Sequence, residues 1–176
     1  MALASLVACA AGCAPSGEDP LSTLSVYEPE TGEYRLRYLA PPWELVRGEG
    51  TRALVRIPSN SMIFADDAGI TKYELAVSVE PGTIAARMAA ERSAVQARGE
   101  EVVDGPRPIT GDAGRAEGQE LLTRGSVGPI TRNGRYVFFQ VDAARVVRLA
   151  FEATPSVDTP EVDAMIDAFG VGPEGM

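Results

Sequence analysis

The chain contains no histidine. That removes the Ser-His-Asp triad, the Cys-His pair and every histidine-ligated zinc site. Cysteine is almost as scarce: Cys9 and Cys13 are the only two, both within the first thirteen residues. The remaining chain can therefore hold no disulfide, iron–sulfur cluster or thiolate metal site. Lysine occurs once, as Lys72, against 15 arginines. Genomic base composition is the simpler account of that bias, although arginine also grips anions bidentately. Positive charge is short overall, with 16 basic residues against 25 acidic ones and a net charge of -9. A nucleic-acid partner needs a basic face, so none is expected.

What is present suits one folded domain. The 176 residues are 45% hydrophobic and 23% charged, a globular composition and not that of a disordered chain. A chain of this size buries roughly 70% of the surface its unfolded form exposes, enough for a core without staples.

Ala2 to Gly12 is an uncharged, almost wholly apolar run of eleven residues. A membrane-spanning helix needs about 20, so this run matches the apolar region of a secretory signal instead. Ala10-Ala11-Gly12 then precede Cys13, and Ala14-Pro15-Ser16-Gly17-Glu18-Asp19-Pro20 follows as a polar, Pro/Gly-rich tether. Together these residues resemble a bacterial lipoprotein signal. The resemblance implies cleavage before Cys13 and diacylglycerol on its sulfur, with Cys9 (after Leu6-Val7-Ala8) as the alternative. The segment departs from that pattern in having no Lys or Arg before the apolar run. The expected organisation is a signal peptide over residues 1–12, a lipidated Cys and tether over 13–25, one domain over 26–170 and a short tail over 171–176. The expected location is a bacterial cell envelope, with the domain lipid-anchored outside the cytoplasm.

From Val26 onward the pattern is mostly period two. Tyr34, Leu36 and Tyr38 alternate with Arg35 and Arg37, which predicts a half-buried strand. Trp43 to Val46, Ala53 to Ile57 and Leu75 to Val79 are further extended pieces. Val102 to Thr110 and Arg115 to Thr123 read as strands around Gly111-Asp112-Ala113-Gly114. Asn133-Gly134 reads as a tight turn. Tyr136 to Val141 is apolar on both faces, as a central strand is. A turn over Asp142 to Arg145 leads into a strand carrying Val147, Leu149 and Phe151.

Two helices interrupt the strands. The first is capped by Thr83 and stopped by Gly99, with Ile84, Met88 and Val95 on one face and Arg87, Glu91, Arg92 and Arg98 elsewhere. The second starts at Thr159-Pro160, carries the stripe Val162, Met165, Ile166 and Phe169, and stops at Gly170. Strands joined by short turns with helices packed on them give an α+β class. The expected architecture is an antiparallel β-sheet of about six to seven strands flanked by helices, an α/β/α sandwich.

Gly32-Glu33-Tyr34-Arg35-Leu36-Arg37-Tyr38 running into Pro42-Trp43 resembles the opening of PsbP-like domains. The hairpin from Tyr136 through Phe151 and the ending Ile166-Asp167-Ala168-Phe169 fit the same family. These domains share a fold with the Ran guanine-nucleotide-release factor and with several bacterial envelope lipoproteins. The resemblance covers about residues 25–170. It implies an accessory or binding protein of a larger assembly and supplies no catalytic residue set.

The chemistry-bearing residues point to no reaction. Lys72 would need burial to serve a nucleophilic Ser as base, and it sits at a strand mouth. Asp66-Asp67 are neighbours in a loop and need not converge. Ser156 to Glu161 is oxygen-rich but lacks the spacing of a calcium loop, and helix capping explains Asp158 and Thr159. Residues 111–114 lack the Lys-Ser/Thr ending of a phosphate loop. No catalytic residue, cofactor or metal is expected. A possible partner surface comprises Trp43, set against core packing of the same residue, and Arg35, Arg37 and Arg56 as one outward stripe on neighbouring strands. The stripe is set against plain cross-strand pairing with Glu. The expected function is that of a lipid-anchored envelope protein whose non-enzymatic domain binds another envelope protein. A small apolar or anionic ligand carrier is the alternative, and a carboxylate hydrolase follows.

Overall fold

The computed structural model describes residues 24–40, 43–57, 73–111, 115–128, 130–154 and 156–172. Cys9, Cys13, the tether up to residue 23, Lys72 and Asp66-Asp67 lie outside the described residues. In chain order the elements are β1 (Leu24–Tyr27), β2 (Tyr34–Leu39), β3 (Glu44–Glu49), β4 (Arg52–Ile57), β5 (Tyr73–Pro81) and α1 (Ile84–Ala97). Then come β6 (Glu101–Gly111), β7 (Ala116–Val127), β8 (Ile130–Asp142), β9 (Arg145–Ala153), α2 (Pro160–Asp167) and β10 (Gly170–Val171).

Seven strands form one antiparallel sheet in the order β3-β4-β5-β9-β8-β7-β6. After β5 the chain crosses through α1 to the far edge. Three hairpins then bring it back, so that β9 lands beside β5 with Val77 opposite Leu149. A second sheet, β1-β2-β10, is short. It shares a layer with α2 on one face of the large sheet, and α1 occupies the other face. The α+β class and the helix-flanked antiparallel sheet are as the sequence implies. The separation of β1, β2 and β10 into their own sheet is not, because it depends on pairings far apart in the chain.

Alternation decides which side chains go where. Leu75 and Val77, Val137 and Phe139, and Val147, Leu149 and Phe151 face α2 and β2, and all are buried. The residues between them (Ala76, Tyr136, Phe138, Val146 and Ala150) meet Met88 and Val95 of α1 instead. Each fully buried Leu or Phe contributes roughly 1.5–3 kcal/mol. Phe169 joins the layers, with its ring stacked on Tyr34 at 5.7 Å and on Phe139 at 5.5 Å between centroids.

The helix ends follow from their capping residues. Thr83 Oγ1 accepts from the Ala86 amide at 3.3 Å, and Thr159 Oγ1 accepts from the Val162 amide at 3.3 Å. Gly99 has φ 73 and follows α1, its amide bonding the Gln96 carbonyl while the Glu100 amide bonds that of Val95. These are the two bonds of a Schellman closure.

Three expectations need correction. Asn133-Gly134 is not a turn: both residues lie inside β8, opposite Ala153 and Glu152. Gly134 is there for space, since a Cβ would fall 2.5 Å from Thr123 Oγ1 and 2.8 Å from Tyr136 Cε2. The connection lies after β7, where Gly128 takes φ 61. Glu91 is not on the outer face of α1; it lies three residues after Met88, on the packed face, and is 7% exposed. Gly170 does not stop α2, whose cap is Ala168; it opens β10 opposite Arg35.

Candidate functional site

Helix α1 lies over β6, β7 and β8. Among the described residues no helix covers the edge strands β3 and β4 on that face. Strand register lays this face out in rows that run from the edge strands to the residues packed against α1. One row runs Glu44, Arg56, Glu74, Glu152; the next Arg47, Leu54, Ala76, Ala150; the third Glu49, Arg52, Ser78, Arg148. Glu44 and Arg56, Arg56 and Glu74, and Glu49 and Arg52 are opposite-sign neighbours across strands, whereas Glu74 faces the like-charged Glu152, and the face as a whole is polar and of mixed sign.

The open face ends at a cleft of about 250 Å³ against α1, lined by Glu80, Arg87, Ala90, Glu91, Ala94, Arg98 and Arg148. It exists because Ala90 and Ala94 are too short to fill the angle between helix and sheet. Arg148 Nε donates to Glu91 Oε2 at 2.8 Å, and its guanidinium lies 5.0 Å from the Tyr136 ring centre. Arg87 pairs with Glu80. Arg98, at the end of α1, donates to Glu100 Oε2 and to the Tyr136 hydroxyl, both at 3.1 Å. The other oxygen of Glu91 is buried without a hydrogen bond, and Arg98 stands 3.6 Å from it. Tyr136 in turn donates to Glu152 Oε1 at 3.0 Å. Burial pushes the Tyr136 phenol above its ordinary value while Arg98 pulls the other way, so it stays a donor at neutral pH.

A second ionic cluster lies on the opposite face. Arg135, 4% exposed, donates to Glu120 at 2.7 Å and to Asp163 at 2.6 Å, and Arg107 also engages Glu120. Asp163 sits in the first turn of α2. This cluster fastens that helix to the sheet.

The residues singled out in the sequence are dispersed. Trp43 is buried in the main core, 3% exposed, with its ring 6.1 Å from that of Tyr73. It packs, and offers no surface anchor. Arg35 and Arg37 lie on β2 in the small sheet, whereas Arg56 lies on β4 in the large one. The expected single stripe on neighbouring strands does not form. Arg56 stands between Glu44 and Glu74, and Arg35 is 3.4 Å from Glu28, so local pairing with Glu describes both. Thr159 and Pro160 cap α2 as expected, with Ser156 Oγ accepting from the Asp158 amide.

Sequence reading missed Glu80, Arg87, Glu91, Arg98 and Arg148 as a group. A signal for Glu91 existed, because positions 88, 91 and 95 share one helical face. Chemically the cleft suits polar recognition. Its two carboxylates are each tied to an arginine and do not converge on one another, and its walls are charge and alanine, not apolar side chains.

No family model and no curated protein matches the chain. Solved structures do. The Ran-binding protein Mog1p of Saccharomyces cerevisiae is 11% identical over 85% of this chain and 96% of its own, with a TM-score of 0.50. The fold is Mog1/PsbP-like. Two others lie at slightly lower scores. LpqN, involved in cell envelope biogenesis of Mycobacterium tuberculosis, is 14% identical over 89% of this chain and 88% of its own, with a TM-score of 0.47. A Bacteroides thetaiotaomicron protein is 10% identical over 82% of this chain, with a TM-score of 0.49; this chain spans 47% of its length. No described helix is long and apolar enough to cross a membrane.

Proposed function

We infer that the chain is a non-enzymatic binding domain, held at a bacterial cell envelope by lipid on Cys13, that docks another envelope protein. The observation that carries the docking half is the mixed-sign face of β3 and β4, over which no described helix lies, with the cleft against α1. A surface of this kind suits a protein partner, because charged rows set register and orientation more than they add affinity. The fold it shares with a Ran-binding protein supports a binding role by analogy only. The anchor half rests on the apolar run, the small residues before Cys13 and the tether after it. Two acyl chains hold a protein stably at a bilayer, each buried CH₂ contributing roughly 0.8 kcal/mol.

The test is site-specific photocrosslinking in the native cells. A photoreactive residue replaces Leu54 on the open face or, as control, Val26 on β1, which is 55% exposed. The reading expects one adduct of defined mass from position 54 and none of that mass from position 26. Equal labelling from both positions contradicts it.

A further inference from the structure

We propose that Arg148 is the anchor of the docking face and receives a single carboxylate from the partner protein, held by its two terminal nitrogens. This rests on the docking reading above and adds the chemistry of the contact. A guanidinium carries five N–H donors. Arg148 uses the one on Nε for Glu91, and no other hydrogen bond or ion pair of its terminal nitrogens exists among the described residues. The group is nonetheless fixed, edge-on by a carboxylate that is 7% exposed and face-on by Tyr136. Tyr136 is itself held by Glu152 and Arg98. A prefixed arginine fork with unspent donors matches the two oxygens of a carboxylate, and little side-chain entropy remains to be lost on binding.

The surroundings select the ligand. Arg87 with Glu80, Arg98 with Glu100 and Arg148 with Glu91 leave the cleft charge-balanced, so it suits a singly charged group that uses the unspent terminal donors of Arg148 over a multiply charged one. A dianionic phosphate would meet the carboxylates of Glu80 and Glu91. The cleft, about 250 Å³, is also smaller than the roughly 300–1,000 Å³ typical of free-ligand pockets. It accommodates a side chain presented from outside. Ser78 and Arg52 continue the same row away from the cleft, so a protein carrying an acidic residue has further polar surface to follow.

The experiment is NMR observation of arginine side-chain nitrogens in the full chain, titrated with the blocked tripeptide Ac-Gly-Glu-Gly-NH₂. Ac-Gly-Gln-Gly-NH₂ and inorganic phosphate form the other arms. Signals of Arg148 and of Arg98, which lines the same cleft, are expected to move saturably with the Glu peptide, with at least tenfold weaker response to the Gln peptide and to phosphate. Arg148→Lys keeps the charge and loses the fork, and at least a fivefold weaker response of the Arg98 signals is expected. Because Arg148→Gln alone strands a buried carboxylate, the double variant Glu91→Gln/Arg148→Gln is used to remove the site. It is expected to fold and not respond. Equal response to the Gln peptide, a stronger response to phosphate, or an unchanged Arg98 response in the double variant overturns the proposal. A position-54 adduct that forms at full yield in Arg148→Lys also overturns it while leaving the docking face intact.

Discussion

Two single atoms carry consequences for stability. The Tyr34 hydroxyl is fully buried and has no hydrogen-bond partner. An unmade bond of that kind costs about 1–3 kcal/mol. Tyr34→Phe is therefore expected to stabilise the fold by about 1 kcal/mol, read by urea denaturation at pH 7. Burial first, then Tyr27 and Glu33, push the Tyr34 phenol above the ordinary tyrosine value of 10.0. Below that value the phenol is neutral in both states and contributes no pH dependence. Above it the unfolded chain releases a proton that the folded chain keeps, so stability falls as pH rises. The Phe variant should lack that part of the alkaline loss; equal slopes above pH 10.0 in both proteins would contradict this. The missing Cβ of Gly134 makes the second case. Gly134→Ala should cost about 1–3 kcal/mol through overpacking against Thr123 and Tyr136. Gly170→Ala, whose Cβ would meet Arg35 at an ordinary 3.6 Å, should change little in the same melt.

At the scale of elements, Arg135 on β8 joins a buried partner on β7, Glu120, to a half-exposed one on α2, Asp163. Arg135→Met leaves Glu120 buried with Arg107 as its remaining partner. A loss of about 3–5 kcal/mol is expected, with most of it recovered in Glu120→Leu/Arg135→Met, which removes both charges. A double-mutant cycle by urea denaturation checks this, and a double variant as unstable as the single one would contradict it. The elements themselves were legible where their signals are local. Thr83 and Gly99 bracket α1, Thr159-Pro160 opens α2, and alternation marks β2, β5 and β9. Local signals failed where the cause is tertiary. Asn133-Gly134 has turn chemistry, yet Gly134 serves the neighbouring Tyr136 ring. Glu91 and Arg148 are 57 residues apart, so their pairing leaves no local pattern. The division of strands between two sheets is likewise a matter of long-range register, and it is what separates Arg35 and Arg37 from Arg56.

For the whole molecule, the net charge of -9 makes the mixed-sign face a local exception. Beyond a Debye length of about 8 Å at physiological salt the acidic body is largely screened, so a partner carboxylate is judged by the cleft and not by the total. A lipid on Cys13 would hold the domain near its partner through a tether that follows directly, raising the effective concentration of a weak contact. Cys13→Ser should accordingly move the protein from the membrane to the soluble fraction without changing its thermal melt. The most direct measurement is the yield of the position-54 crosslink in wild-type and Cys13→Ser cells side by side. The expected result is one adduct in wild-type membranes that falls at least tenfold in the variant. Equal yields in the two strains would contradict a docking domain that works from a lipid anchor.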